Sequence, residues 1–137
     1  MSTPYSHEKF PPAPVLDIQL SAPGESPQTA TLTALIDTGG DFTIVPLQWL
    51  LDINAPESRS AHVRGLWSDR QLVTLYLVDI HLAHGTLPGM EVIGIEDEED
   101  SDEQEVILGR NVLNLLLLLL EGPQQQTTIL ERRPRRF

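Results

Sequence analysis

Apolar and polar residues alternate with period two along much of this chain, which predicts a mostly β protein. The segment 14–22 alternates as a half-buried strand does, and 29–36 is a second alternating run, separated from the first by the turn 23–28. The same alternation, or a short apolar run, predicts further strands at 42–46, 60–66, 70–82, 90–95, 105–109 and 126–131. Many of these strands are close enough in sequence to form hairpins.

Two segments break the alternation and predict helix. Residues 47–53 are long enough for one or two helical turns, and residues 110–120 are helix formers that stop at Gly122-Pro123, as a helix end does. The six leucines at 115–120 are expected to be buried on most faces of that helix. A contact between copies of the chain is the alternative for this run.

Length and composition predict one folded domain. The 137 residues are 40% hydrophobic, and the domain is expected over 14–131, between a flexible Pro-rich segment 1–13 and a basic tail 132–137. The chain contains no cysteine, which excludes disulfides and thiolate metal sites. Its longest apolar run is far shorter than the roughly 18 residues of a membrane span, and its start lacks the apolar core of a signal peptide. A cytoplasmic protein without membrane contact is therefore expected.

Charge is unevenly distributed in this chain. The formal net charge is −11, and residues 96–105 form a dense acidic run that is expected to be a solvated loop. Calcium binding is the alternative for this run, although it lacks the glycine and the alternation of a calcium loop. The arginine-rich tail 132–137 is a candidate RNA contact, but the overall charge argues against nucleic-acid binding.

No metal or other cofactor is expected, because the histidines show no metal-binding spacing: His7, His62, His81 and His84.

The segment 34-ALIDTGGDFTIVP-46 carries candidate chemistry. It places the carboxylate of Asp37 after an apolar run and before two glycines. A turn is the simplest interpretation, because Asp-Thr-Gly-Gly is common turn chemistry after a strand. An unpaired carboxylate beside a buried strand is nevertheless costly, which favours an active-site loop.

A second segment, 106-VILGRNVL-113, follows about 70 residues later with an apolar strand, a glycine, an arginine and a predicted helix. In this order and spacing the two segments resemble the retroviral-type aspartic proteases, the retropepsin-like family, over about residues 14–131. The resemblance implies a closed β barrel or sandwich with one C-terminal α-helix and one Asp-Thr-Gly lobe per chain. It also implies an aspartic endopeptidase that cleaves an extended peptide or protein substrate. A free-standing bacterial member is expected rather than one excised from a viral precursor.

Asp37 is the catalytic residue that this resemblance implies, and the chemistry needs two such acids. One carboxylate acts as the base toward water while the other, protonated, polarises the scissile carbonyl. Two adjacent carboxylates share one proton, because both cannot comfortably ionise. Since the chain contains a single Asp-Thr-Gly, the expected active form is a homodimer with Asp37 from each copy.

The resemblance gives each neighbour of Asp37 a role. Thr38 is expected to hydrogen-bond across the dimer axis, and Gly39 to leave room for the substrate backbone. Asp41 and Arg110 are expected to form an ion pair that braces the loop, since arginine offers a planar fork that lysine lacks. Gly40 departs from the alanine usual in the family, which loosens the loop.

Substrate contacts are expected from the loop, from neighbouring strands and from a flap. The implied contact residues are Leu35, Gly39, Asp41, Ile44, Gly65, Leu66, Trp67 and Ile107. The hairpin tip at 65–67 is the expected flap, although it lacks the glycine-rich character of retroviral flaps. A core position beneath the hairpin is the alternative for Trp67.

The dimer interface is expected at strand 126–130. An amino-terminal interface strand is less clear, because Pro11, Pro12 and Pro14 lack the N–H donors that a sheet ladder uses. The alternative function is a non-catalytic retropepsin-fold module that dimerises or binds peptides. An RNA-associated protein that acts through the tail 132–137 is a third hypothesis, which predicts salt-sensitive binding.

Overall fold

The computed structural model describes residues 1–64, 70–96 and 105–135 of the chain. The expected flap tip, nearly all of the acidic run and the last two residues of the basic tail lie outside these ranges. The strands are β1 (Ser2–Pro4), β2 (Val15–Ser21), β3 (Leu32–Ile36), β4 (Thr43–Pro46), β5 (Glu57–Arg64), β6 (Arg70–Leu82), β7 (Gly85–Ile95), β8 (Val106–Leu108), β9 (Leu117–Glu121) and β10 (Gln126–Leu130). The helices are α1 (Leu47–Asp52) and α2 (Arg110–Leu113).

Six of the strands close into a barrel. They pair in the order β2-β3-β8-β4-β7-β6, and the ring closes because β2 pairs with β3 through residues 15–18 and with β6 through residues 19–21. β5 continues the sheet beyond β6 and forms a long hairpin with it. Closure removes the free edges of the six barrel strands. This architecture confirms the predicted mostly β fold class.

The barrel interior is filled by the apolar half of each alternating strand. Leu16, Ile18 and Leu20 of β2 are almost fully buried, and they pack in one cluster with residues such as Val78 and Ile80 of β6. Burial of one such side chain is worth about 1.5–3 kcal/mol. The period-two pattern seen in the sequence therefore corresponds to one face of each strand turned toward a single core.

The predicted helix at 110–120 is wrong in length. Helix α2 ends at Leu113, and the last four leucines of the run, 117–120, belong to β9, which pairs residue by residue with β10. A run of identical apolar residues has no periodicity, so its sequence cannot distinguish a helix from a strand. The Gly122-Pro123 pair belongs to the β9–β10 connection, where the N–H of Gln125 donates to the carbonyl of Gly122 (3.0 Å).

The expectation that these leucines are buried on most faces is also wrong. Four of them are exposed: Leu115, Leu117, Leu119 and Leu120. Helix α1, in contrast, lies within the predicted range 47–53. Neither helix in the described part of the chain is long and apolar enough to cross a membrane.

A second, three-stranded sheet contains both ends of the described chain. Its order is β1-β10-β9, with both pairings antiparallel. The segment 1–13, expected to be flexible, is paired in this structure: β1 lies beside β10, and Ser6 and Ala13 exchange two backbone hydrogen bonds of 2.8 and 3.0 Å. The prolines of this segment limit it to a short strand and a loop, but they do not prevent pairing.

Candidate active site

Asp37 lies where two parallel strands end. β3 pairs with β8 in parallel register, with Leu35 opposite Ile107 and Ile36 opposite Leu108. The N–H of Asp37 then donates to the carbonyl of Leu108 at 3.0 Å. Parallel strands end at the same edge of a sheet, so the loop after β3 and the helix after β8 meet there. This pairing explains why the two motif segments, distant in sequence, are adjacent in the fold.

The carboxylate of Asp37 is held by its own loop. The N–H of Gly39 donates to Asp37 Oδ1 at 3.0 Å, and the N–H of Gly40 donates to the Asp37 carbonyl at 3.3 Å. The side chain is half-buried, at the mouth of the loop. The second oxygen, Oδ2, faces Gly40, where an added Cβ would lie only 3.2 Å from it. Gly40 therefore provides space directly beside the carboxylate.

Helix α2 holds the other half of the loop through its first two N–H groups. The N–H of Arg110 donates to the carbonyl of Gly40 at 2.8 Å, and the N–H of Asn111 donates to the carbonyl of Asp41 at 3.2 Å. The first N–H groups of a helix have no partner within the helix, so these two contacts give them hydrogen-bond partners and also attach the loop to α2. The loop is thus attached to α2 by bonds between backbone groups.

The Arg110 side chain adds a third attachment. Its Nη2 pairs with Asp41 Oδ1, and its Nη1 donates to the carbonyl of Thr38 at 3.4 Å. The two ends of the guanidinium fork therefore reach opposite sides of the Asp37 loop. Both side chains of the ion pair are well exposed, at 48% for Arg110 and 65% for Asp41. An exposed pair of this kind contributes about 0–1 kcal/mol to stability, so its main effect is on loop geometry.

A partly buried polar network beneath the loop was missed by the sequence analysis. The side chain of Asn111 accepts hydrogen bonds at Oδ1 from the N–H and the hydroxyl of Thr43, both at 3.0 Å, and donates from Nδ2 to the carbonyl of Glu91 at 2.8 Å. Thr43 is fully buried and its Oγ1 accepts from the N–H of Gly109 at 3.1 Å. The network joins β4, β7 and α2. The asparagine in the motif VILGRNVL was the sequence feature from which this network could have been predicted.

Gly109 lets two backbone segments of the site, its own and that of Phe42, lie in close contact. A Cβ at this position would overlap the backbone carbonyl group of Phe42. The glycine is needed for this contact and not for an unusual backbone angle, because its φ is −92°. The glycine of the second motif thus lets the β8–α2 junction lie against the residue that follows the Asp37 loop.

The structure brings together part of the expected substrate-contact set. Leu35 and Ile44 both pair with Ile107, so these three residues lie side by side in the barrel wall that leads to Asp37. Gly65, Leu66 and Trp67 of the expected flap lie outside the described residues. The hairpin that leads to them is present, with Arg64 and Arg70 paired directly opposite each other at its outer end.

Two of the cavities that described residues line lie away from Asp37. One, of about 820 Å³, is lined by Met1, His84 and the carboxy-terminal residues from Thr128 to Arg135. Another, of about 420 Å³, is lined by residues of the β2–β3 connection and of α1, including Trp49. Neither is lined by Asp37. Within the described ranges, no group of three or more acidic or histidine side chains is placed to hold a metal ion.

Comparison with known proteins supports the fold. No protein-family model and no curated protein matches the sequence, whereas twelve solved chains match the structure. The retroviral protease-like domain of Ddi1 from Leishmania major matches with a TM-score of 0.51 and 14% identity, over 86% of this chain and 90% of that domain. The Simian Foamy Virus (mac) protease matches with a TM-score of 0.49 and 16% identity, over 73% of this chain and 91% of that one. The closed six-stranded barrel and the match to the Ddi1 domain show that the fold of the chain is retropepsin-like.

Proposed function

We propose that this chain is an aspartic endopeptidase of the retropepsin-like family and that it acts as a homodimer. The observation that carries the proposal is the placement of Asp37. Its carboxylate lies at the junction of two parallel strands, held by the N–H of Gly39 on one side, with its second oxygen beside Gly40. A carboxylate oriented in this way on a rigid barrel is suited to act on a bound water molecule.

The second carboxylate that the chemistry needs comes from a second copy of the chain. Asp41, the other acid of the loop, is paired with Arg110 and is committed to holding the loop. A twofold axis beside Asp37 places two copies of this carboxylate together, so that the pair shares one proton. The chain thereby supplies half of an active site, as a protein with one Asp-Thr-Gly segment must.

The proposed reaction is direct attack by water on the peptide bond. The ionised Asp37 takes a proton from water as it attacks the scissile carbonyl carbon, while the protonated Asp37 of the second copy gives its proton to the carbonyl oxygen. The tetrahedral intermediate then collapses: the C–N bond breaks, the leaving nitrogen takes a proton from the protonated carboxyl group, and a hydroxyl of the intermediate gives a proton to the other carboxylate, so the dyad again holds one proton. No covalent intermediate with the enzyme forms. Leu35, Ile44 and Ile107, which lie side by side in the barrel wall, contact apolar side chains of an extended substrate.

A peptidase assay with Asp37→Asn tests the proposal. The wild-type protein is incubated with a mixed peptide library from about pH 4 to about pH 7, a range that spans a shared-proton dyad. Asp17→Asn, which changes an exposed aspartate on β2, is the matched control. We expect cleavage by the wild type and by Asp17→Asn, and none by Asp37→Asn at unchanged stability.

The result also decides between the two classes of function. Full activity of Asp37→Asn would refute the catalytic assignment. If the dimeric wild type binds peptides but cleaves none, the non-catalytic binding module becomes the better description. The cytoplasmic location and the absence of a nucleic-acid partner, both expected from the sequence, stay predictions.

A further inference from the structure

The basic tail, which the proposed function does not use, forms one wall of a cavity. This cavity, called the cationic cavity below, has a volume of about 820 Å³ and is lined by Arg132, Arg133 and Arg135 of the tail. His84, in the β6–β7 connection, and Thr128 of β10 also line it. The described part of the tail therefore lies against the folded domain.

The charge around the cationic cavity is opposite to that of the chain. Three of the chain's nine lysines and arginines line it, against one acid, Glu131, among its described lining residues, whereas the net charge of the chain is −11. None of the three arginines forms an ion pair with another described residue. Guanidinium groups without an acidic partner around one space suit an anionic ligand, because each can hold a carboxylate through two parallel hydrogen bonds.

A smaller cavity adjoins the cationic cavity. It has a volume of about 360 Å³ and shares four lining residues with the larger one: His84, Ile129, Leu130 and Glu131. Its other lining residues are leucines of the segment that follows α2: Leu115, Leu116 and Leu117. This leucine cavity is open to water, since Leu115 is 59% exposed. The two cavities together form a space that is cationic at one end and apolar at the other.

We propose that these two cavities bind a free long-chain fatty acid, with its carboxylate at the arginines and its alkyl chain along the leucines. The shared residues place the two sites side by side, as the two ends of such a molecule require. Removal of the alkyl chain and of the exposed leucines from water favours binding at one end, and charge-assisted hydrogen bonds favour it at the other. Each cavity has a volume within the roughly 300–1,000 Å³ of small-molecule sites.

Charge favours a free fatty acid over two other anionic partners. A nucleic acid would contact the arginines but would bring no alkyl chain to the leucines, and a chain of net charge −11 repels a polyanion. An anionic membrane surface is repelled for the same reason. A single carboxylate experiences little of this repulsion, because salt screens charges that are more than about 10 Å away.

Isothermal titration calorimetry of the full chain with dodecanoate, below its micelle concentration, tests the proposal. Octanoate shortens the alkyl chain, and dodecyl maltoside keeps the chain but replaces the carboxylate by a neutral head. We expect dodecanoate to bind and octanoate to bind at least about tenfold more weakly, because each fully buried methylene is worth about a factor of four in the dissociation constant. Dodecyl maltoside should also bind at least about tenfold more weakly, because it leaves the arginines unpaired.

Two variants of the cavities, each with a matched control, locate the site. The double variant Arg132→Glu/Arg133→Glu should raise the dissociation constant of dodecanoate at least about tenfold. Arg64→Glu/Arg70→Glu makes the same change of charge at exposed arginines that line neither cavity, and should have little effect.

The second variant tests the apolar end. Leu115→Asp should weaken binding at least about tenfold, because it places a charge beside the alkyl chain. Leu51→Asp, at a leucine on α1 that is 53% exposed and lines neither cavity, is its control and should bind as the wild type does.

Several results would overturn the proposal. Absence of dodecanoate binding to the wild type is one, and equal affinity for octanoate or for dodecyl maltoside is another. Cavity variants that bind no more weakly than their controls would place the ligand elsewhere. Binding to phosphatidylglycerol vesicles or to an RNA oligomer, without binding of dodecanoate, would identify one of the other anionic partners. None of these readouts depends on peptidase activity, so failure of the proposed function would leave this inference standing.

Discussion

Asn111 binds Thr43 through a single atom: Asn111 Oδ1 accepts hydrogen bonds from both the N–H and the hydroxyl of Thr43, each at 3.0 Å. The same asparagine donates to the carbonyl of Glu91 at 2.8 Å, so it joins α2 to β4 and β7 at a partly buried position. The loop that carries Asp37 is attached to α2 from one side, and this network attaches α2 to the barrel from the other. Asn111 is therefore one structural link between the candidate catalytic loop and the core, beside the backbone bond from Asp37 to Leu108.

Replacement of Asn111 by alanine should be strongly destabilising. The change removes three hydrogen bonds and leaves the N–H of the buried Thr43 and the carbonyl of Glu91 without their partner. Each buried polar group left unsatisfied costs about 1–3 kcal/mol, so we expect a loss of roughly 2–4 kcal/mol in the free energy of unfolding. Urea denaturation followed by circular dichroism measures this loss.

Asn114→Ala is the control for this substitution. Asn114 lies one turn later on the exposed side of the α2 end, and its replacement should change stability by less than about 0.5 kcal/mol. If the two variants lose similar amounts of stability, the hydrogen bonds between Asn111 and Thr43 contribute no more than an exposed side chain does.

Most of the strands were predictable from the sequence, because alternation of apolar and polar residues reports one buried face. β6 extends over Arg70–Leu82, the same range that the pattern predicts, and β2 lies within the predicted 14–22.

β7 is longer than predicted and begins at Gly85. Its first part contains Gly85, Pro88 and Gly89, which are typical of a loop, but the Asp79 carboxylate accepts a hydrogen bond from the N–H of Gly89 at 2.9 Å. This contact joins residues ten positions apart on the two arms of a hairpin, and the alternation pattern does not report it.

The remaining differences have the same cause. The leucine run 115–120 was predicted as helix because no periodicity in it opposes helix, and pairing with β10 decides the outcome. In the candidate site, the motifs located Asp37 and its loop, but the role of Asn111 was not predicted. Its partner Thr43 is 68 positions away in the chain, and only the fold brings the two together.

Gly109→Ala should destabilise the protein through a clash of backbone atoms. The added Cβ would overlap the carbonyl group of Phe42, which cannot rotate away as a side chain can. We expect a loss of about 1–3 kcal/mol, the usual cost of forcing an extra methyl group into a packed site. Gly85→Ala is the control, because a Cβ there meets nothing within 4 Å. An equal effect at both positions would show that the contact with Phe42 adapts freely.

Arg110→Lys should lower peptidase activity more than it lowers stability. A lysine ammonium can pair with Asp41, but it cannot also reach the carbonyl of Thr38, which Arg110 Nη1 contacts at 3.4 Å. The ion pair is exposed, so the free energy of unfolding should fall by less than about 1 kcal/mol. Activity should fall at least about tenfold, since loss of loop geometry acts on the transition state.

The control for Arg110→Lys is Arg59→Lys, which alters the Arg59–Glu91 pair on the β5 and β7 strands. Activity that is equal in wild type and Arg110→Lys would refute the loop-positioning role of the guanidinium.

Glu91 should contribute stability that depends on pH. Hydrogen bonding from Arg59, helped by Ser58, holds the pKa of Glu91 below its ordinary value of 4.5 in spite of partial burial. A group with a depressed pKa stabilises the fold above its unfolded pKa and loses that contribution as the pH falls through the folded value. Glu91→Gln should therefore cost about 0.2–1 kcal/mol near pH 7, and the difference from wild type should shrink below pH 4.5.

Urea titrations of both proteins across this pH range measure the difference. Glu57→Gln, at an exposed position on β5, controls for the loss of one negative charge. If the loss of unfolding free energy in Glu91→Gln is the same from neutral to acidic pH, the loss comes from the changed shape of the side chain and not from its charge.

Thr127→Val should stabilise the protein. The hydroxyl of Thr127, the second residue of β10, is fully buried and has no hydrogen-bond partner among the described residues. Valine has the same shape and a similar preference for strands, so the change removes an unsatisfied polar group without a cavity. We expect the free energy of unfolding to rise by about 1 kcal/mol.

The neighbouring threonine provides the comparison for this prediction. Thr128 shares a hydrogen bond of 2.7 Å with the hydroxyl of Ser2, which joins β10 to β1. Thr128→Val should therefore lower stability by about 0.5–1.5 kcal/mol, the net value of one such bond. If Thr127→Val is instead destabilising, its hydroxyl has a partner in solution. Because β10 lies between β1 and β9, the opposite signs expected at adjacent positions test whether this sheet is packed in solution as the structure shows.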